Sequence, residues 1–269
     1  MQPLLKVENL VKHYAKRTVS GAPGELLALD GVNFTVHAGT TFAVIGESGS
    51  GKSTLAFCVA CLEYPTSGRI WFEGRDLVQL AENERREVRP KIQLIFQDPA
   101  GSLDPRWNVL EILTEPLVLQ GKFESEEMEH HAYSLLARVG LPSELGKSLP
   151  MELSGGQRQR LAIARALALE PELLILDEAL SALDCSVQAQ IANLLMDLQS
   201  SLGMTYLFIT HDLAMAAHLA DDVAVMNRGQ VVEQGPAENV LRQPQCETTR
   251  LLLASVPSLV DATPSARKQ

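Results

Sequence analysis

The run GESGSGKST, Gly46 to Thr54, has the G-x-x-x-x-G-K-[ST] spacing that chemistry on phosphates requires. Gly46 and Gly51 permit tight backbone turns, and Ser48, Gly49 and Ser50 are small enough to let an anion come close to the amides. With Glu47 they complete a loop whose N–H groups can face one phosphate group. Lys52 can reach β- and γ-phosphates, Ser53 can offer its hydroxyl to Mg²⁺, and Thr54 closes the motif. The helix that follows aims its positive end at the same place. An ordinary Gly/Ser turn is the competing reading, but it does not require this full pattern between an apolar strand and a helix.

A second stretch, LLILDEALSALD from Leu173 to Asp184, runs from apolar residues straight into Asp177 and Glu178. A nucleoside triphosphate needs a carboxylate to place Mg²⁺, and Asp177 at the end of an apolar strand suits that task. Glu178 is then free to orient or deprotonate an attacking water. Successive residues on a continuing strand face opposite ways, so the chain must turn after Leu176 for both to act. A surface carboxylate at a strand end is the rival reading of Glu178.

These groups need elements to hold them. TTFAVIG reads as a short buried strand leading into the loop, and a helix is expected from Lys52 to about Leu62. LLKVENLVKHY and ALDGVNFTVHAG alternate as half-buried strands, RIWFEGRDL and KIQLIF add two more, and EYPTSG is a turn. Residues 98–168 change to helical spacing, clearest over 124–139 and 157–169. LLIL and TYLFIT return to strand, each followed by helix. DVAVMNRGQVVEQG reads as a hairpin, ENVLRQ as a short helix, and the chain after Pro257 as a polar tail. The expectation is an α/β fold with an N-terminal antiparallel β region and an inserted α-helical subdomain. Its discontinuous core would span 1–98 and 169–245, the helical part 99–168 and the tail 246–269, forming a single domain from about 5 to 250.

Composition narrows the classes. The 269 residues include 33 acidic and 23 basic ones, for a formal charge of −10, which argues against a nucleic-acid partner. No run of about eighteen apolar residues could span a membrane, and MQPLLKVENL lacks the pattern of a signal peptide, so a cytoplasmic chain is expected. Cys58 and Cys61 form a CxxC inside the apolar helical run FCVACL, where a reduced, partly buried pair is expected.

Three more phrases complete a pattern. LSGGQRQR, Leu153 to Arg160, opens a helix in the helical insert; SALD, Ser181 to Asp184, follows the carboxylates; ITHD places His211 after a strand. In this order after the phosphate loop, they resemble the nucleotide-binding subunit of ATP-binding cassette (ABC) transporters, from about residue 5 to residue 257. That resemblance implies a P-loop ATPase that hydrolyses Mg²⁺-ATP. It implies that Tyr14 stacks on adenine, with Phe34 or simple core packing as rival explanations. It also implies that Gln97 touches Mg²⁺ or water and senses a membrane partner. Ser154, Gly155, Gly156 and Gln157 would complete the site of an opposing subunit, Asp184 would communicate across the dimer, and His211 would contact the γ-phosphate and position Glu178. The implied catalytic groups are Glu178 and His211, and the implied metal ligands are Ser53, Gln97 and Asp177.

IFQDPAGSLDPR and VVEQGPAENVL resemble the oligopeptide and dipeptide branch of the family; DEAL and the short tail are most similar to its Sap-type peptide-transport ATPases. Branch members usually read DEPTSALD and HPYTR, where this chain has DEALSALD and CETTR. Ala179 in place of proline removes a locked φ, so a looser turn is expected. Cys246 alone cannot hold an iron–sulfur cluster. The implied partners are a second ATPase subunit, identical or homologous, two transmembrane permeases and, for an importer, a periplasmic solute-binding protein. The chain would then work peripherally at the cytoplasmic face of the inner membrane. A polyamine or nickel cargo is the alternative to peptides. A small GTPase would need an NKxD-type motif, and a DNA-repair ATPase of this type would need a long coiled coil between loop and signature; neither is present.

Overall fold

The computed structural model of the protein describes residues 3–17, 23–121 and 125–254. Strand β1 (Pro3–Arg17) pairs antiparallel with β2 (Pro23–His37), and on its other side with β4 (Ser67–Phe72), which turns into the short β5 (Arg75–Asp76). The order of this sheet is β2-β1-β4-β5. The stretch after Tyr14 lengthens the hairpin: Tyr14 lies opposite Leu26 and Ala15 opposite Glu25.

The second sheet has the order β10-β9-β3-β8-β7-β6, built from β3 (Thr41–Ile45), β6 (Ile92–Ile95), β7 (Leu173–Asp177), β8 (Thr205–Thr210), β9 (Asp222–Asn227) and β10 (Gln230–Pro236). All run parallel except the edge strand β10, which hairpins back from β9 through Arg228 and Gly229, both at positive φ. The central strands are continuous apolar runs because both faces are buried. Alternation divides them cleanly. Phe42, Val44, Leu173, Ile175, Leu207 and Ile209 face the antiparallel sheet and helix α1 (Lys52–Val59). Ala43, Ile45, Leu174, Leu176, Tyr206 and Phe208 face the remaining helices.

Those helices are α3 (Pro99–Ser102), α4 (Val109–Gln120), α5 (Ser125–Arg138), α6 (Gly155–Leu167), α7 (Cys185–Leu202) and α8 (Leu213–Leu219), followed by α9 (Ala237–Arg242) and α10 (Glu247–Ala254). α4 starts at a capping box in which the Glu111 amide donates to Asn108 at 3.0 Å and the Asn108 amide to Glu111 at 2.7 Å. α10 falls in the stretch expected to be tail; it is held because Leu253 enters the main core and Thr249 is buried. α2 (Glu82–Val88) has no counterpart in the sequence reading. ENERREV carries too little apolar periodicity to announce a helix; buried Arg85 anchors it by donating to the carbonyls of Leu80 at 3.0 Å and Val78 at 3.1 Å.

Candidate active site

The parallel strands deliver the predicted groups to one edge. The phosphate loop follows β3, Gln97 lies two residues past β6, Asp177 ends β7, and His211 follows β8. Carboxyl ends of parallel strands are where ligands of open α/β sheets bind.

Residues 46–51 form the loop itself. A Cβ on Gly46 would stand 2.2 Å from the Met226 carbonyl oxygen, and one on Gly51 would stand 2.4 Å from that of Ala28, so only glycine fits at either position. The loop is braced from the far end of the chain. The Gly229 amide donates to the Ser50 carbonyl at 2.9 Å, and the Asp30 amide donates to the Gly229 carbonyl at 2.8 Å. No side chain caps α1, so its first amides are free to meet an anion. Lys52 is buried, with Nζ donating to the carbonyls of Gly46 and Glu47, each at 2.8 Å. Its third proton has only Ser50 Oγ at 3.5 Å, a weak partner that a phosphate oxygen would replace. Burial pulls the Lys52 ammonium below its ordinary value, opposed by the carboxylates of Glu178 and Asp177.

Asp177 shares the strand face of Leu173 and Ile175, toward α1, and Ser53 Oγ donates to its Oδ1 at 3.2 Å. Burial raises its carboxyl above the ordinary value, outweighing the Ser53 hydrogen bond. Glu178 has φ +49°, so the turn begins one residue later than expected. This left-handed residue sends Glu178 toward His211, whose Nδ1 lies 3.4 Å from Glu178 Oε2. The Glu178 side chain is 19% exposed and that of His211 58%, so the carboxylate is sheltered and the imidazole faces solvent. The Glu178 amide donates to the Ile209 carbonyl at 2.9 Å and fixes the turn.

The turn expected to be looser is packed and hydrogen-bonded. Ala179 and Leu180 are both buried, Ser181 Oγ donates to the Glu178 carbonyl at 2.8 Å, and Gln188 donates to the Leu180 carbonyl at 3.0 Å. Apolar burial and hydrogen bonds hold this turn without a proline. Gln97 is exposed and reaches this turn through Ser181 Oγ at 3.5 Å. Thr210 Oγ1 accepts from the Asp212 amide at 2.9 Å, and Asp212 in turn caps α8, so His211 is braced on both sides.

Tyr14, Ser48, Gly49, Gly51, Lys52, Ser53, Thr54, Gln97 and Glu178 line one cleft of about 400 Å³. Phe34 does not; it is buried and stacks on Phe42 at 5.0 Å, which leaves Tyr14 as the aromatic at the cleft. Leu26, Leu27 and Ala28 also line it and went unrecognised in the sequence, where two adjacent leucines breaking the alternation of β2 were the available signal.

The signature residues lie outside this cleft. Ser154 caps α6 in a capping box with Gln157, whose amide donates to Ser154 Oγ at 3.3 Å while the Ser154 amide donates to Gln157 Oε1 at 2.8 Å. Gly155 and Gly156 pack on the segment that begins α7: a Cβ on Gly156 would stand 2.8 Å from Val187 Cγ1. Asp184, the N-cap residue of α7, therefore sits beside the signature, with no side-chain bond to the helix. Cys58 and Cys61 are free thiols, and burial pushes Cys58 up to about 12.

Comparison with known proteins agrees with this geometry. The ABC transporter family model matches residues 29–181. The dipeptide transport ATP-binding protein DppF of Escherichia coli strain K12 is 46% identical over 96% of this chain and 78% of its own length. A probable peptide ABC transporter ATP-binding protein of Sinorhizobium fredii, y4tS, is 48% identical over 94% of this chain and 72% of its own. Among solved structures, cbiO1 of Clostridium perfringens superposes with TM-score 0.79 at 32% identity, covering 90% of this chain and 92% of that one. The dimeric cassette MJ0796 bound to ADP and Pi superposes with TM-score 0.75 at 30% identity, covering 87% and 98%. By the extent of these matches as well as by its own strand-end geometry, the chain belongs to the ABC transporter family, among the ATP-binding subunits of its peptide-transport branch.

Proposed function

We propose that the chain hydrolyses ATP to power the movement of peptides across a membrane, as the energy-coupling subunit of a transporter. The observation that carries this reading is the convergence of the phosphate loop, Asp177, Glu178 and His211 on one strand edge, in a chain whose relatives are named for peptide transport. Lys52 and the loop amides bind the β- and γ-phosphates, and Tyr14 takes the base. Ser53 and Asp177 are hard oxygen donors 3.2 Å apart, a set that fits Mg²⁺, with Gln97 as a further ligand. When bound, Mg²⁺ supplies neutralisation of the phosphate charge. Glu178 orients the water and takes its proton as the water oxygen attacks the γ-phosphorus and the bond to the bridging oxygen breaks, leaving ADP and phosphate. His211 holds Glu178 and donates to the γ-phosphate.

The cleft has no Ser154 in its wall, so Ser154, Gly155, Gly156 and Gln157 serve the site of an opposing ATPase subunit, and Asp184 beside them reports closure. Residues 1–98 and 169–245 act as the nucleotide core, on which α10 packs, and 99–168 as the helical part. Among the described residues no helix is long and apolar enough to cross a membrane. The chain works at the cytoplasmic face on two permease subunits, with a periplasmic binding protein supplying cargo to an importer. The test is to purify the complex with its permeases, reconstitute it in liposomes and measure ATPase activity with added peptides or polyamines. Stimulation by di- to oligopeptides is expected; stimulation by polyamines alone overturns the peptide assignment, and an inactive complete complex overturns the ATPase.

A further inference from the structure

The Tyr14 ring is not left free to choose its orientation. Lys12 Nζ lies 4.8 Å from the ring centroid, within cation–π range. That ammonium is itself fixed: it donates to Glu63 Oε2 at 2.7 Å and to the Tyr64 carbonyl at 2.6 Å. The anchor is also rigid, because the Arg85 guanidinium, buried and tied to two carbonyls, covers the Tyr64 ring at 4.1 Å. Lys12 is only 12% exposed and takes no part in lining the cleft, whereas Tyr14 does. Burial disfavours the charged amine, but the Glu63 carboxylate outweighs it and holds the ammonium above the ordinary lysine value, so the charge is present at neutral pH.

We infer that Lys12 is a positioning residue for the nucleotide base, acting through Tyr14; this rests on the proposed contact between Tyr14 and the base. Two effects follow from the geometry. Anchoring one face of the ring removes the cost of ordering a half-exposed aromatic side chain on binding. A cation over that face also draws π-density toward itself, leaving the opposite face best matched to an electron-rich flat ring. The link from Lys12 to residues 63 and 64 ties base recognition to the segment that follows α1, the helix of the phosphate loop.

The test measures equilibrium binding of ATP, GTP and inorganic tripolyphosphate to the full chain and to Lys12→Met, Lys12→Arg, Tyr14→Ala and the Lys12→Met/Tyr14→Ala double variant. Lys12→Met should weaken ATP about three- to tenfold, weaken GTP at least as much and leave tripolyphosphate unchanged. Lys12→Arg should recover most of the loss, and Lys12→Met should add nothing once Tyr14 is alanine. Unchanged tripolyphosphate binding also shows that each variant is folded. Equal losses for ATP and tripolyphosphate overturn the proposal, since Lys12 would then act on the phosphate loop. Wild-type ATP affinity in Lys12→Met, with Tyr14→Ala impaired, overturns it while preserving the Tyr14 contact. Wild-type ATP affinity in Tyr14→Ala overturns the Tyr14 contact itself.

Discussion

At the scale of single residues, two adjacent carboxylates are given different work by one dihedral angle. Asp177 keeps the strand's direction and meets Ser53; Glu178, at φ +49°, leaves the strand and meets His211. Glu178→Gln keeps size and hydrogen bonding but cannot accept a proton. It should bind Mg²⁺-ATP normally and lose ~100- to 10,000-fold in single-turnover hydrolysis; an unaltered rate removes Glu178 from the base role. Asp177 should show itself through pH. Burial raises its carboxyl above the ordinary 3.8, so the native state holds this proton more tightly than the unfolded chain does. Its ionisation therefore costs stability as pH rises from the ordinary value through the raised one. The metal needs the ionised form, so Mg²⁺-dependent nucleotide affinity should fall on acidification while the protein gains stability from this group. Calorimetric titrations across the acid range should show that fall, and Asp177→Asn should abolish it while weakening affinity throughout.

At the scale of elements, the contact between α6 and α7 carries its own prediction. Alanine at Gly156 gains about 1 kcal/mol in helix propensity, but its Cβ meets the stiff, β-branched Val187 at 2.8 Å, and overpacking costs about 1–3 kcal/mol. Gly156→Ala should therefore be neutral to destabilising, and Val187→Ala in that background should recover stability; urea unfolding of the four-member cycle checks the coupling. Elements with a strong period or a motif were legible. The short buried strands, the loop-to-α1 transition, the Ser154 cap and the β9–β10 hairpin all announce themselves in residue type. α2 was not legible, because its buried anchors are a single apolar residue, Val88, and an arginine, Arg85, whose head bonds to carbonyls. Nor was the strength of the turn at Ala179 and Leu180, since burial depends on what packs above it. Ser181 and Thr210 were missed for a similar reason: a hydroxyl that braces a backbone turn looks like any other serine or threonine until the partner carbonyl or amide is in place.

At the scale of the whole molecule, the cleft and the signature occupy separate places, as the proposed composite site requires. Ser154→Arg removes a cap that contributes ~1 kcal/mol and puts a long cation where close amide approach is needed. Nucleotide binding by the isolated chain should survive this change, while turnover in the assembled complex fails. If two identical chains pair, mixing Ser154→Arg with Lys52→Ala should restore one working site, because both lesions fall on the same composite site of the mixed dimer. If the partner is a different subunit, site-resolved nucleotide trapping should show its loop silent instead. Trapping lost only at this chain's own Lys52 sinks the composite-site reading.

The brace between the phosphate loop and residues 226–229 sets a schedule for synthesis. The loop leaves the ribosome early, but the carbonyl that Gly46 abuts and the amide that holds Ser50 arrive about 180 residues later, well beyond the region matched by the family model, which ends at residue 181. A nascent chain can thus carry the complete GESGSGKST text while lacking the support that shapes it. Stalled chains released after residue 221 should bind a fluorescent ATP analogue far more weakly than chains released after residue 236, where the hairpin is complete. Equal binding by the two would show that the early segment shapes its own loop.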